Sequence, residues 1–392
     1  MITTETQTAE PAPKPHTSRH QIYDALVASS SPGRELDAAL FAGIDWSLLL
    51  DQARHHSLLP LLADRVLNAR EIEVPPGIRT RLRDDFQSNL LRNVGLLNEI
   101  KRVLQPWREQ GIEAIPYKGP VLAEQLWGSF ALRDCSDLDF LIQRDDAEKA
   151  GRILEQLGYV SAWPVAKSLR PALVRDASEE QFRNSTTKLL LEMQWAPAPR
   201  TLSVSFEREW VWHDRINIPV TGETVNGPPP EALFSLLAIH GWKHNWSKLI
   251  WIADLAAMLR HYDLNWQLIE EFAARDGWRR IFLLALAMVR RVYGIETSCN
   301  GAVAADREIL SLAGRLETSL RLARNNSYLE WHRDMLSARD SFADRVGQVA
   351  HFVFTPGLAE YSAASLPRWA SAGYRLIRIA RVLRLWPEKA AG

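Results

Sequence analysis

The stretch Asp137-Leu138-Asp139-Phe140-Leu141-Ile142 decides the fold. It alternates acidic and apolar residues and then turns wholly apolar, the pattern of a strand running into a core. Residues i and i+2 of a strand point to the same face. Asp137 and Asp139 therefore present two carboxylates side by side, with Leu138 turned to the core. Hard cations such as Mg²⁺ take oxygen ligands and keep several waters, which suits such a pair. Two ions about 4 Å apart would hold a triphosphate while activating an attacking oxygen. Taken alone, an Asp-x-Asp pattern is also what two exposed acids on an edge strand look like, so its surroundings must decide. Like charges this close repel without a metal, and removing either is expected to cost little stability.

Upstream, Gly111 opens a short strand at Ile112–Tyr117, and Lys118-Gly119 ends it. Pro120 then starts a helix where its missing N–H does no harm. A loop over Gly128–Ser136 carries Arg133 into the acidic strand. Gly119 lets backbone approach a phosphate, and the helix behind it aims N–H groups and a positive dipole end at anions. Lys118 and Arg133 add charge against a triphosphate; the plainer readings are a turn and two surface charges. Downstream, Asp145 or Asp146 caps a helix that ends near Gly158. Lys188–Trp195 reads as a further strand, with Glu192 between apolar Leu191 and Met193. Glu192 is the candidate third carboxylate.

The rest of the chain is helical. Residues 1–18, rich in Thr, Pro, Ala and Glu, read as a disordered tail. Residues 19–104 form a helical region broken at Pro75-Pro76, 105–225 an α/β core, and 226–392 a second helical region. Expected helices in the last region run Glu231–His244, Lys248–His261, Trp266–Arg275 and Ile281–Tyr293. The fold class is thus α+β: a small sheet with helices, embedded in a mostly α-helical chain.

Composition sets limits on function. Of 392 residues, 47 are Lys or Arg and 47 are Asp or Glu, so the formal charge is zero. A partner held by bulk nucleic-acid phosphates usually demands a basic excess, so none is expected. Two cysteines, Cys135 and Cys299, exclude a disulfide framework and a cysteine zinc cluster and suit a reducing cytoplasm. No apolar run reaches the roughly 18 residues of a membrane span, and the N-terminus lacks a signal peptide's apolar centre. His240 and His244 share a helix face, but His-Gly-Trp-Lys-His lacks the glutamate of the zinc-protease pattern. Trp242, Trp246, Trp251, Trp266 and Trp278 would either stack a base or fill the core. The basic amphipathic segment Tyr374–Arg384 would either lie on an anionic membrane or dock through Leu376, Ile379 and Leu383; docking is the expectation.

Pro116-Tyr117-Lys118-Gly119-Pro120-Val121-Leu122-Ala123, with Leu132-Arg133-Asp134-Cys135-Ser136 leading into the acidic strand, resembles the uncharacterised bacterial nucleotidyltransferase family. That pattern is Lys-Gly-small-small-Leu, then Arg, then Asp-hydrophobic-Asp-hydrophobic-hydrophobic, and the resemblance runs from about residue 21 to 385. Leu189–Trp195 resembles the family's third acidic strand, with Gln194 where a His is common; Pro120 stands where a small residue is usual. Leu236–Leu255 resembles its helical segment behind the acids. The resemblance implies a polymerase-β-like fold and metal-dependent nucleotide chemistry. It implies Mg²⁺ (or Mn²⁺) on Asp137, Asp139 and Glu192, an NTP such as ATP, and an unidentified small-molecule, peptide or protein acceptor. Lys118, Gly119 and Arg133 would hold phosphates, and Lys243 and His244 would contact nucleotide phosphate or shape the cleft from its opposite wall. Asp254 is expected to orient a His or Lys. Phosphoryl transfer on the same fold, and a non-catalytic nucleotide-binding scaffold, are the alternatives.

Overall fold

The computed structural model describes residues 18–206, 209–220, 222–324, 326–364, 366, 370 and 372–383. The tail read at 1–18 lies outside them apart from Ser18, as does Arg384. Four helices come first: α1 Arg19–Ser30, α2 Trp46–His55, α3 Leu59–Asn68 and the long α4 Pro76–Glu109. The sheet follows as β1 Ala114–Pro116, α5 Gly119–Trp127, β2 Asp137–Ile142, α6 Ala147–Gln156, β3 Tyr159–Ser161, α7 Arg170–Asp176, β4 Glu179–Asn184 and β5 Leu190–Gln194. After a short helix α8, Glu209–Trp212, comes a two-stranded ribbon, β6 Ile216–Val220 and β7 Glu223–Gly227. The remaining helices that matter below are α9 Pro230–Lys243, α10 Leu249–His261, α11 Trp266–Arg275, α12 Arg279–Tyr293, α13 Asn300–Ala305, α14 Arg307–Arg321, α15 Tyr328–Ser337, α16 Phe342–Phe354, α17 Leu358–Ala363 and α18 Gly373–Val382.

The sheet order is β1-β2-β5-β4-β3. It is mixed: β2 and β5 run parallel, and the other neighbours are antiparallel. Parallel pairing puts Asp137 opposite Leu190 and Asp139 opposite Glu192. The period-2 rule then sorts the side chains. Leu138, Phe140 and Ile142 of β2, Leu191 and Met193 of β5 and Phe182 of β4 pack into one core with α4 and α6. Asp137, Asp139, Glu192 and Gln194 fall on the opposite face, toward α5, α9 and α10. Those helices belong to a second, larger core that also takes in α1–α3, α12 and α14. The two helical regions therefore share one interior, and the Ser30 hydroxyl meets that of Tyr293 at 2.8 Å. This is the α+β arrangement expected from the sequence.

Several boundaries differ. The first strand is only Ala114–Pro116, and the third acidic strand begins at Leu190 because Lys188 turns with φ +63°. The α5 helix starts at Gly119, with φ +60°, so Pro120 is its second residue. Asp146 occupies the cap position of α6 without a side-chain bond to the helix. Strands β3, β4, β6 and β7 were not foreseen. Trp242, Trp246 and Trp278 are fully buried, while Trp251 and Trp266 pack against the core from its edge. The docking of α18 runs through a different face from the one expected. Leu376 and Leu383 are exposed, whereas Tyr374 and Ile377 are buried and Arg378 lies over the Phe352 ring at 4.8 Å. Among the described residues no helix is long and apolar enough to cross a membrane.

Candidate active site

The polar face of the sheet gathers residues from three adjacent strands. Asp139 of β2, Glu192 of β5 and Gln181 of β4 are successive cross-strand partners. One step along, Gln194 of β5 lies beside Glu179 of β4. Tyr117 and Lys118, leaving β1, close the near side. The Lys118 Nζ lies 3.0 Å from Asp139 Oδ1 with both residues buried, and 4.9 Å from the centre of the Tyr117 ring.

Gln194 organises this cluster. Its Nε2 donates to Asp139 Oδ1 at 2.8 Å and to Glu192 Oε2 at 3.0 Å. Those two carboxylate oxygens are therefore less than about 6 Å apart, within the reach of one small cation and its ligand shell. The Tyr117 hydroxyl donates to Gln194 Oε1 at 2.6 Å, which fixes the amide's orientation. Gln181 Nε2 donates to the other oxygen of Glu192 at 2.9 Å. Sequence reasoning missed Tyr117, Gln181 and Gln194. Gln194 was within its reach: it stands two residues after Glu192, so the rule that pairs Asp137 with Asp139 puts it on the same face.

The electrostatics are those of crowded carboxylates. Burial, then the charges of Asp139 and Glu179, push the Glu192 carboxyl up to about 7. Burial and Asp139 also raise Asp137, more than Lys118 and Arg133 lower it. Burial works against the Lys118 ammonium, but Asp139 and Tyr117 together outweigh that and raise its pKa. Among the described residues, no three His, Cys, Asp or Glu side chains already stand together as a metal cluster. The donor chemistry nevertheless fits a hard divalent cation: oxygen ligands whose mutual repulsion a positive ion would relieve. In this arrangement the Lys118 ammonium and the Gln194 amide occupy Asp139 instead.

Arg133 is brought to the site from the loop before β2. Its Nε is 3.1 Å from Asp254 Oδ2, and Trp127 Nε1 donates to Asp254 Oδ1 at 3.1 Å. Asp254 thus orients an arginine and a tryptophan, not the His or Lys expected, because α10 faces the loop and α5. The loop is pinned from α4. Asn93 Nδ2 donates to the carbonyls of Phe130 at 2.6 Å and Arg133 at 2.9 Å, and Asn89 Nδ2 to Ala131 at 2.7 Å. Gly119 stands against β2; a Cβ there would lie 3.6 Å from the Asp137 carbonyl, and its positive φ disfavours any side chain.

The end of α9 supplies the facing wall. Lys243 Nζ lies 3.6 Å from Glu179 Oε2. The His240 and His244 rings are 4.6 Å apart, and Trp251 lies 5.3 Å from each. Burial, then the positive charge of Lys118, hold the His240 imidazole well below its ordinary pKa, so it is neutral. Lys118, Arg133, Asp137, Asp139, Glu192, Lys243 and His244 therefore gather where the polar face of the sheet meets the α9–α10 pair.

Residues 42–294 match the family model described as an uncharacterised nucleotidyltransferase. The match is narrower than the span of 21–385 read from the sequence; it takes in the whole sheet and α9–α12 and stops before α13. No curated protein matches the chain, and no solved structure does.

Proposed function

The chain belongs to the uncharacterised nucleotidyltransferase family, and from that premise we propose that it moves a nucleotidyl group from an NTP to a hydroxyl, amine or phosphate acceptor in a Mg²⁺-dependent reaction. The observation that carries the proposal is the stripe Asp137, Asp139 and Glu192 across two parallel strands, with Lys118 buried against it. Mg²⁺ held by these carboxylates would neutralise phosphate charge and favour the ionised acceptor. The chain's own residues do the rest by position. The acceptor oxygen or nitrogen attacks the α-phosphorus, the bond to the bridging oxygen breaks, and pyrophosphate leaves. Glu192, on the same sheet face as Asp139, takes the acceptor's proton. Lys118, buried beside Asp139, would meet the phosphate charge with the N-terminal turn of α5 behind it. Lys243 and His244 border the opposite side.

The test uses ATP labelled at the α or the γ position with the full chain, Mg²⁺ and a cell extract. Transfer of the α label with release of pyrophosphate supports the reading. Transfer of the γ label with release of ADP replaces it by phosphoryl transfer. No Mg²⁺-dependent nucleotide binding at all, or turnover in Asp139→Asn equal to the parent, overturns it.

A further inference from the structure

The turn between α9 and α10 carries backbone strain. Asn245 and Trp246 are consecutive residues in the left-handed region, at φ +53° and +49°. Asn tolerates that region, but a bulky aromatic residue there is strained. Gly241 makes the turn possible, since a Cβ at that position would lie 2.4 Å from the Trp246 ring. The Asn245 N–H donates to the Trp242 carbonyl and the Trp246 N–H to that of Gly241, each at 2.8 Å. From the far side, His56 Nδ1 accepts from the Leu249 N–H at 3.4 Å, and Lys248 Nζ reaches Ser57 Oγ at 3.1 Å.

This scaffolding holds Asn245 in place at 6% exposure, and neither Oδ1 nor Nδ2 of its amide has a partner. An unpaired buried polar group is destabilising, and here a donor and an acceptor are left open together. Asn245 lines a cavity of about 190 Å³ with His56, Leu316, Leu320, Trp331 and His244. An apolar cavity of about 150 Å³ accepts benzene. Pockets for whole drug-sized ligands run to roughly 300–1,000 Å³. This cavity is sized for one flat heterocycle. Its lining is largely uncharged: burial, then His55 and Lys248, push the His56 pKa down to about 3. Arg324 at the edge is paired with Glu330 at 3.0 Å. His244 joins the cavity to the acidic site, since it lines the cavity and its neighbour Lys243 lies 3.6 Å from Glu179 Oε2, and Trp331 is tied to the same wall through the Lys243 carbonyl at 3.3 Å.

We propose that this cavity holds the adenine ring of the nucleotide donor while its phosphates lie over the sheet face. The inference rests on the nucleotidyl-transfer reading above and adds the base to it. Adenine presents an amino donor next to a ring-nitrogen acceptor, which Asn pairs with bidentately. Guanine offers two acceptors at that edge and leaves the Asn245 oxygen unpaired. The uncharged lining suits a base and not a phosphate.

Calorimetric binding of Mg²⁺ complexes of ATP and GTP to the full chain tests this. The parent protein should prefer ATP by roughly tenfold or more, the discrimination one bidentate pair supplies. Asn245→Gly keeps the left-handed backbone and removes the amide, so it should bring the two nucleotides level. Ser319→Phe, which fills the cavity from α14, should weaken ATP while leaving Mg²⁺-pyrophosphate binding unchanged. ATP binding with no base preference in the parent overturns the proposal and leaves nucleotidyl transfer standing, as does ATP binding unchanged in both variants. A parent that binds no nucleotide overturns both readings.

Discussion

The ammonium of Lys118 lies 3.0 Å from Oδ1 of Asp139, with about nine-tenths or more of both side chains out of solvent, while Asp137 stands at the more open end of the same strand face. The two acids are therefore not equivalent, although the sequence presents them as a matched pair. Asp139→Ala leaves a buried, uncompensated ammonium, which typically costs about 3–5 kcal/mol. Asp137→Ala removes a carboxylate already strained by Asp139, and should cost less than about 1 kcal/mol. Urea unfolding of both variants measures this difference. Equal losses would show that the ion pair does not form. Both variants should lose Mg²⁺-dependent nucleotide binding.

Glu192 supplies a pH dependence whose sign can be worked out. Its folded pKa of about 7 lies above the ordinary 4.5, because burial and the charges of Asp139 and Glu179 disfavour its ionised form. The folded state then holds a proton that the unfolded chain gives up. The resulting stability is fully present below about pH 4.5 and is lost as pH rises through 7, at most roughly 3 kcal/mol over that window. In EDTA, unfolding free energy should fall between pH 5 and 8, and Glu192→Gln should flatten that part of the curve. Added Mg²⁺ should stabilise the parent more at pH 8 than at pH 6. A parent and a Glu192→Gln variant with parallel curves would contradict the assignment.

Gln194 joins Tyr117, Asp139 and Glu192 through three hydrogen bonds. Gln194→Leu should lower stability by about 1–3 kcal/mol, the penalty for leaving buried partners unpaired. The carboxylates would then be free to move apart, and Mg²⁺ affinity should fall further than stability does. Titration of Mg²⁺ against protein fluorescence, at a temperature where the variant stays folded, separates the two effects. An unchanged Mg²⁺ affinity would reduce Gln194 to a packing residue.

The acidic strand was legible because β2 carries its function on one face and its core on the other, so period-2 reasoning applies directly. β4 was not. Its apolar face holds only Phe182 between Glu180 and Asn184, both of which are also buried, so the alternation that marks a strand is hidden. Glu180 is tolerated there because Ser161 and Arg170 meet it. β6 and β7 were obscured by Pro219 and by their shortness. The roles of Tyr117 and Gln181 depend on strand register across 77 and 11 residues of chain, which no local pattern encodes. The helical half was easiest to read, since α9, α10 and α12 carry long apolar runs and α11 a helical apolar spacing. Their relation to the acids depends on tertiary packing, as the link between Arg133 and Asp254 illustrates.

That link separates two readings of Arg133. Its Nε meets Asp254 Oδ2 at 3.1 Å, both groups are buried, and Asp254 takes a second bond from Trp127. Such a pair would lock the loop before β2 against α10, a structural role. Arg133 also sits close enough to Asp139 to act on the acidic cluster, and Asp137 responds to its charge. Breaking the pair from either side should be costly: Asp254→Leu or Arg133→Met alone leaves one buried charge, at about 3–5 kcal/mol. Replacing both with apolar residues of similar volume should recover most of that loss, because neither charge is left unpaired. The double variant is therefore the informative one. If Arg133 serves phosphate as well as the fold, the double variant should unfold near the parent's midpoint yet lose at least tenfold in turnover. A double variant with parental stability and parental turnover would make the pair a lock alone, leaving Lys118 as the site's main phosphate-facing cation. The two measurements needed are a urea unfolding curve and the release of pyrophosphate from ATP.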